Sequence, residues 1–333
     1  MTIDEENMRA IRCHAYTGPN DLRLEEVPDP VPGPGQVLIA VEACGLGFVD
    51  GLHVQGKYQV KIPLPFTPGS EAAGRVIALG EGAPAELMGK RVAGFVMGGG
   101  LAEKALMMAS ACAVVPETFD PTAAAAALIN YGTAIFGFED CGALEAGETV
   151  LVLGASGGVG MAAIDVARGM GAYVIAAASS DDKRKAAIAR GAHKAIDYTQ
   201  EDWRKALADA LGTKGLDVVY DPVSGAWSEA AFRSLAPGGR HLVIGFASGE
   251  IAKLPLNLAL LKRASLVGVD WGGHVRAHKD EGPRLTRRLM ELAAQGKITP
   301  RADSVHGLAE APQVIAAMLA RKMIGKPVIR PQA

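Results

Sequence analysis

Apolar positions change texture about a third of the way along the chain. In the first third the apolar runs are short and broken by glycine and proline. Residues 8–15 and 23–27 are short strand candidates, the second with partial alternation. Residues 36–44 (QVLIAVEAC) form a strongly apolar strand with β-branched side chains. Residues 71–79 and 91–96 predict further strands, and residues 29–35 (DPVPGPG) predict a turn. Many short strands so punctuated predict a barrel-type β domain. From about Asn130, continuous apolar runs alternate with longer helical patterns. Residues 149–153, 173–178, 216–220, 241–246 and 265–271 read as strands, and residues 159–170 and 181–191 as helices. Uninterrupted apolar strands alternating with helices predict a doubly wound parallel sheet covered on both faces, so the fold class is α/β. The tail from Pro283 carries two helical patterns and a last strand over residues 327–330.

Residues 121–138 carry no charge, which raises the question of a membrane span. Alanines 123–127 supply much of that stretch, alanine contributes little transfer energy, and Asn130 is costly in lipid. A buried helix is the reading, with no membrane partner. The 333 residues suggest about two domains at ~150 residues each. With 34 basic against 36 acidic side chains the net charge is −2, so there is no basic footprint for nucleic acid. The acidic start lacks the basic and apolar regions of an export signal. Cys13, Cys44, Cys112 and Cys141 form no CxxC pair, which fits reduced thiols in a cytoplasmic protein.

The strongest chemical signal is the run from Val150 to Gly160, VLVLGASGGVG. A buried strand enters a glycine-rich turn and a helix begins, the context a dinucleotide-binding fingerprint requires. Glycine lets the backbone approach a pyrophosphate, and the N–H groups at the helix start face the anion. Ala155 stands where the first glycine of G-x-G-x-x-G would be, followed by Ser156, Gly157, Gly158, Val159 and Gly160. The second strand ends in alanine and serine rather than the acid that binds a ribose hydroxyl. Ser179, Ser180 and Lys183, with Arg184 next, suit a 2′-phosphate and point to NADPH. Asp181 and Asp182 argue the other way by repulsion, or else cap the following helix.

Several stretches together resemble the zinc-free quinone oxidoreductase branch of the medium-chain dehydrogenase/reductase superfamily. They are VEACG at 41–45, GKY at 56–58, PLPFTPGSE at 63–71, GTA at 132–134, the glycine turn, and GVDWG at 268–272. The resemblance implies a GroES-like catalytic domain from residues 1–129 and 272–333 and a Rossmann NADPH-binding domain from residues 130–271. It implies an active site in the cleft between them and a homodimer paired through the last Rossmann strand, residues 265–271. Zinc-dependent relatives carry a Cys, a His and a third Cys or Asp ligand. Here Cys44, Ser70 and Ile129 stand at those positions, which is no three-ligand catalytic set, so no metal is expected.

The resemblance also assigns site residues. Thr133 is expected to begin a helix near the nicotinamide, or to serve as a plain helix cap. Gly245, Phe246 and Ala247 follow the fifth Rossmann strand and are placed on the nicotinamide half. Val269 and Trp271 have a similar role, with interface core the alternative for Trp271. Tyr198 is placed near the adenosine end, and Arg321 either reaches the cofactor or is a solvated helix charge. Tyr58 either orients or protonates a substrate carbonyl or packs the wall. His53 is a possible substitute polar group or a structural histidine. Gly47 departs from the family, which commonly has Asn there. The function so implied is zinc-independent reduction of a quinone or enone by hydride from NADPH. The alternatives are an enoyl or acrylyl thioester reductase, or a non-catalytic NADPH-binding redox sensor.

Overall fold

In the computed structural model, which describes residues 6–96 and 99–332, the chain divides into two compact units. One is residues 1–129 with 300–333, and the other is residues 130–299. The acidic lead over residues 1–5 lies outside the described residues. Residues 272–299, which the resemblance assigns to the catalytic domain, fall in the second unit. The reason is visible in its contacts. Asp165 accepts the Thr299 N–H at 2.7 Å, and Gly169 packs so closely on Lys297 that a Cβ would clash with the Lys297 carbonyl oxygen.

The first unit is built on a seven-stranded sheet. Its central strand, Gln36–Gly45, pairs antiparallel with Glu71–Leu79, with Lys104–Met108 and with the C-terminal strand Pro327–Arg330. The apolar run that marked this strand is its core face: Val37, Ile39, Val41 and Cys44 are fully buried. The last strand joins the sheet with Val328 opposite Gly45 and Ile329 opposite Cys44. The tail therefore completes this unit.

The second unit holds a six-stranded sheet in which every pair is parallel. The order across the sheet is Lys194–Ile196, Tyr173–Ala177, Thr149–Val152, Val218–Asp221, Arg240–Val243 and Ser265–Gly268. Thr149–Val152 has its sequence successor on one side and the fourth strand on the other, which makes its C-terminal end the topological switch point where such sheets bind ligands. All four of its residues are buried, in keeping with cover on both faces. The helices Gly158–Gly169 and Asp181–Arg190 follow the first two strands, the second closed by Gly191 at φ 119°.

Two predicted strands are shorter than their apolar patterns. The run over 265–271 leaves the sheet after Gly268, because the Asp270 side chain accepts the Gly273 N–H and caps a helix starting at Trp271. The run over 241–246 leaves after Val243, because Ile244 and Gly245 both turn their N–H groups onto the Asp221 carbonyl. The uncharged stretch at 121–138 is a helix, Pro121–Ile135, with its alanines buried, extended by a π-helical turn over Phe136–Cys141. Among the described residues no helix is long and apolar enough to cross a membrane.

Candidate active site

The C-terminal ends of the second unit's strands carry the dinucleotide fingerprint. Gly154 turns the chain at φ +58°, and a Cβ there would lie 2.6 Å from Val223 Cγ2. Gly160 lets the helix start close over the turn, since a Cβ there would meet the Gly154 carbonyl oxygen at 2.5 Å. These two glycines are demanded by the fold. Gly157 is different: its φ is −78°, and a Cβ would meet nothing nearer than 3.6 Å within the protein. Its missing side chain leaves open space in front of the helix, where the N–H groups of Gly158, Val159 and Gly160 precede the first intrahelical bond from Met161 to Gly157. Ala155 and Ser156 are buried, and the Ala155 N–H is taken by the Ala177 carbonyl at 3.1 Å.

The second strand ends at a small polar cradle. Ser180 caps the next helix by accepting the Lys183 N–H at 3.4 Å, and Lys183 Nζ donates to Ser179 Oγ at 3.4 Å. The objection raised by Asp181 is answered by Arg184, which pairs with Asp181 at 2.5 Å and with Asp197 at 2.8 Å. Arg184 is thereby committed to the fold, and Lys183 is the cation beside the serine hydroxyls. Beyond the next strand, Tyr198 stands edge-on to Trp227 with ring centroids 5.0 Å apart, and its carbonyl accepts the Trp227 indole N–H.

On the other side of the switch point, Gly245, Phe246 and Ala247 form the loop after Arg240–Val243. A Cβ on Gly245 would meet nothing nearer than the Pro222 carbonyl oxygen at 3.5 Å, and Phe246 is half exposed. Val269 and Trp271 are buried beside the Pro121–Ile135 helix and its extension: a Cβ on Gly132 would lie 3.1 Å from the Trp271 indole nitrogen, and one on Gly137 3.5 Å from Val269 Cγ1. Thr133 lies near the end of that helix rather than at its start. The helix begins twelve residues earlier because Asp120 accepts both the Thr122 N–H, at 2.9 Å, and its hydroxyl.

A turn that sequence reasoning misses supports this floor. Asp221, at the end of the fourth strand, accepts N–H bonds from Val223 and Ser224, the Ser228 hydroxyl, and His241 Nε2 at 3.0 Å. Burial pushes its carboxyl up, but His241 and the donated hydrogen bonds outweigh that and hold it below the usual Asp range. Val223 is the side chain under Gly154, and Ser224 adopts φ +61°. The signal is present as DPVSG directly after an apolar strand, a turn composition.

Tyr58 and Arg321 belong to the first unit. Tyr58 is half-buried, with its ring edge-on to His53 at 4.7 Å. Burial, opposed by the charge of Asp50, lowers the His53 pKa. Arg321 follows the helix Ala311–Leu319 at φ +57° and is exposed. The same unit holds a buried polar cluster. Ser70 Oγ donates to Asp50 Oδ1 at 2.7 Å, and Asp50 Oδ2 accepts the Gly47 N–H at 2.7 Å. Glu71 accepts the Ile129 N–H at 2.8 Å and pairs with the Lys326 ammonium. Cys44 is fully buried beside Gly69 and Gly100, and burial, reinforced by Asp50 and Glu71, pushes its thiol well above the ordinary range.

Comparison with known proteins matches residues 33–117 to the alcohol dehydrogenase GroES-like domain and residues 158–290 to the zinc-binding dehydrogenase family. A bovine relative named quinone oxidoreductase-like protein 2 is 38% identical over 96% of this chain and 91% of its own length. A mycobacterial structure described as complexed with NADPH superposes with a TM-score of 0.89 at 31% identity, covering 97% of this chain and 100% of that one. The quinone oxidoreductase of Thermus thermophilus, also solved in complex with NADPH, gives 0.78 at 32% identity, covering 97% and 100%.

Proposed function

The chain is an oxidoreductase of the quinone oxidoreductase branch of the medium-chain dehydrogenase/reductase superfamily, and on that premise we propose that it reduces a quinone or other conjugated carbonyl with NADPH, without zinc. The observation that carries the cofactor reading is the cradle at the switch point. Gly157 is a glycine that the protein's own packing does not require, in front of helical N–H groups and beside the Ser179–Lys183 pair. A pyrophosphate fills the first space and a 2′-phosphate suits the second. The NADPH complexes of two structural relatives support the same assignment.

Bound there, NADPH supplies a hydride. In this reading the chain's own residues do the rest. The N–H groups of Gly158 and Val159 and the Lys183 ammonium hold the phosphates. Tyr198 flanks the adenosine, and the 245–247 loop, Thr133, Val269 and Trp271 line the nicotinamide half. Arg321 adds a late cationic contact to the cofactor. Tyr58 orients the acceptor carbonyl and donates a proton to the oxygen that gains charge.

The zinc of the family's description does not suit the residues of the first unit. The Ser70 hydroxyl is donated to Asp50, and Ile129 has no side-chain ligand atom, so of the three positions only Cys44 carries a strong zinc ligand. An ammonium stands among them. Without a Lewis acid to activate an alcohol, reduction of an already electrophilic acceptor is the favoured direction. We also place the protein in the cytoplasm, as a homodimer joined through Ser265–Gly268.

The test is NADPH oxidation by the purified protein with an ortho-quinone, an enone and an enoyl thioester, an NADH control, and a chelator arm. Turnover with NADPH and quinone or enone, unchanged by chelation, is expected. Preference for the thioester would move the acceptor class to thioesters. NADPH binding without turnover of any acceptor would overturn the reductase reading in favour of a redox sensor.

A further inference from the structure

Tyr131, Asp165 and Arg190 form a buried polar node in the second unit. Burying a carboxylate and a guanidinium carries a desolvation cost that ordinary packing does not require. The Tyr131 hydroxyl donates to Asp165 Oδ2 at 2.7 Å, and the same oxygen accepts the Thr299 N–H at 2.7 Å. Arg190 Nη1 donates to the Tyr131 oxygen at 3.3 Å. Burial, reinforced by Asp165 and opposed by Arg190, pushes the Tyr131 phenol above its ordinary range, so it stands protonated as a donor.

The three side chains come from three helices. Tyr131 is on Pro121–Ile135, two residues before Thr133. Asp165 is two turns into Gly158–Gly169, and Arg190 ends Asp181–Arg190. In the cofactor placement proposed above, these same helices carry the nicotinamide contact, the pyrophosphate N–H groups and the cap beside the Ser179–Lys183 pair. At ~1.5 Å of rise per residue, Asp165 and Arg190 lie about 10 Å along their helices from Gly158 and Lys183. Successive helical residues are about 100° apart. Tyr131 bonded to Asp165, and Gly132 close against the Trp271 indole, therefore set the rotation of their helix and turn Thr133 to a third side.

We propose that Tyr131, Asp165 and Arg190 are positioning residues for the cofactor: their node locks three helices in one register and so fixes the nicotinamide relative to the phosphates. The proposal rests on the cofactor placement above. The Tyr131 hydroxyl is the link through which the Pro121–Ile135 helix enters the node. Hydride transfer needs its reacting atoms about 3–3.5 Å apart, so a small shift of that helix costs rate while the phosphate contacts persist.

The experiment compares full-length wild type with Tyr131→Phe, which keeps the ring and deletes the hydroxyl. Affinity for 2′-phospho-ADP-ribose, which has both phosphate groups and no nicotinamide, is expected to stay within about twofold. Time-resolved fluorescence anisotropy of bound NADPH should show a mobile nicotinamide in the variant and an immobile one in the wild type. With an acceptor that turns over, kcat should fall at least about tenfold, with KM for NADPH within about twofold. An equal loss of fragment and NADPH affinity would mark the node as merely structural and overturn the proposal, as would equal nicotinamide mobility in both proteins. Should Tyr131→Phe not fold, Asp165→Asn decides, since it keeps the shape and removes the charge. The same split supports the proposal, and an equal loss or a second failure to fold overturns it. A wild type that does not bind NADPH would sink the cofactor reading itself. A wild type with an immobile nicotinamide beside an identical variant would sink the node alone.

Discussion

In the proposed binding mode, Lys183 is the side chain that sorts two cofactors differing by a single phosphate. Its ammonium sits 3.4 Å from the Ser179 hydroxyl, while its neighbour Arg184 neutralises Asp181 and Asp197. In that binding mode, replacing Lys183 by Ala removes a cation at the 2′-phosphate and leaves the Gly157–Gly160 cradle for the pyrophosphate in place. The dissociation constant for NADPH should rise about tenfold, equivalent to about 1.4 kcal/mol, with NADH affinity unchanged. Isothermal titration with both cofactors checks this, and an equal loss for both would show that the phosphate lies elsewhere. The glycines divide at the same scale. Gly154 and Gly160 are forced by Val223 and by the turn's own backbone, whereas a Cβ on Gly157 would meet only the Gly154 carbonyl oxygen, at an ordinary 3.6 Å. A sequence reading gives all three the same weight, because the distinction depends on what packs beside each one.

At the scale of elements, apolar patterning locates the strands but not their ends. The runs over 241–246 and 265–271 stay apolar after the ladder has stopped, since the Asp221 carbonyl and the Asp270 cap draw the backbone away. Thr133 misleads for a related reason: a residue typical of helix starts sits inside a helix already begun at Asp120. Asp221 carries the clearest consequence. Its carboxyl is held below its unfolded value, so its stabilisation is complete above that value, about pH 3.9, and is lost as pH falls through the lower folded value. Asp221→Asn keeps an acceptor for the Val223 and Ser224 N–H groups but loses the charge facing His241. We expect it to destabilise the protein at pH 7 by roughly 1–3 kcal/mol. The difference from wild type should shrink as pH falls from about 4, where the unfolded carboxyl takes up its proton, through the lower folded value, where the native carboxylate does. Urea unfolding at a series of pH values measures this, and a pH-independent difference would show that the ionised carboxylate carries none of the effect.

For the whole molecule, the division into two units follows from the change of texture near Asn130, and the return of the tail follows from family resemblance. The segment 272–299 joins the other unit than its sequence suggests, because a helical pattern says nothing about which neighbour it docks on; Asp165 and Gly169 decide that. The same whole-molecule view exposes an unfinished edge. Among the described residues Ser265–Gly268 pairs with Arg240–Val243 on one side only, and Leu256, Leu260, Leu261 and Leu266 are more than half exposed around it. An exposed apolar edge of this kind invites pairing with another chain. A second copy related by a twofold axis offers the same strand antiparallel, so both edges close at once. Leu266→Lys places a charge in the centre of that contact, and the opposed lysines repel across the axis. Sedimentation should show a dimer for the wild type and a monomer for the variant at the same concentration. A monomeric wild type would remove the edge from the assembly altogether, and a dimeric variant would move the interface to another face.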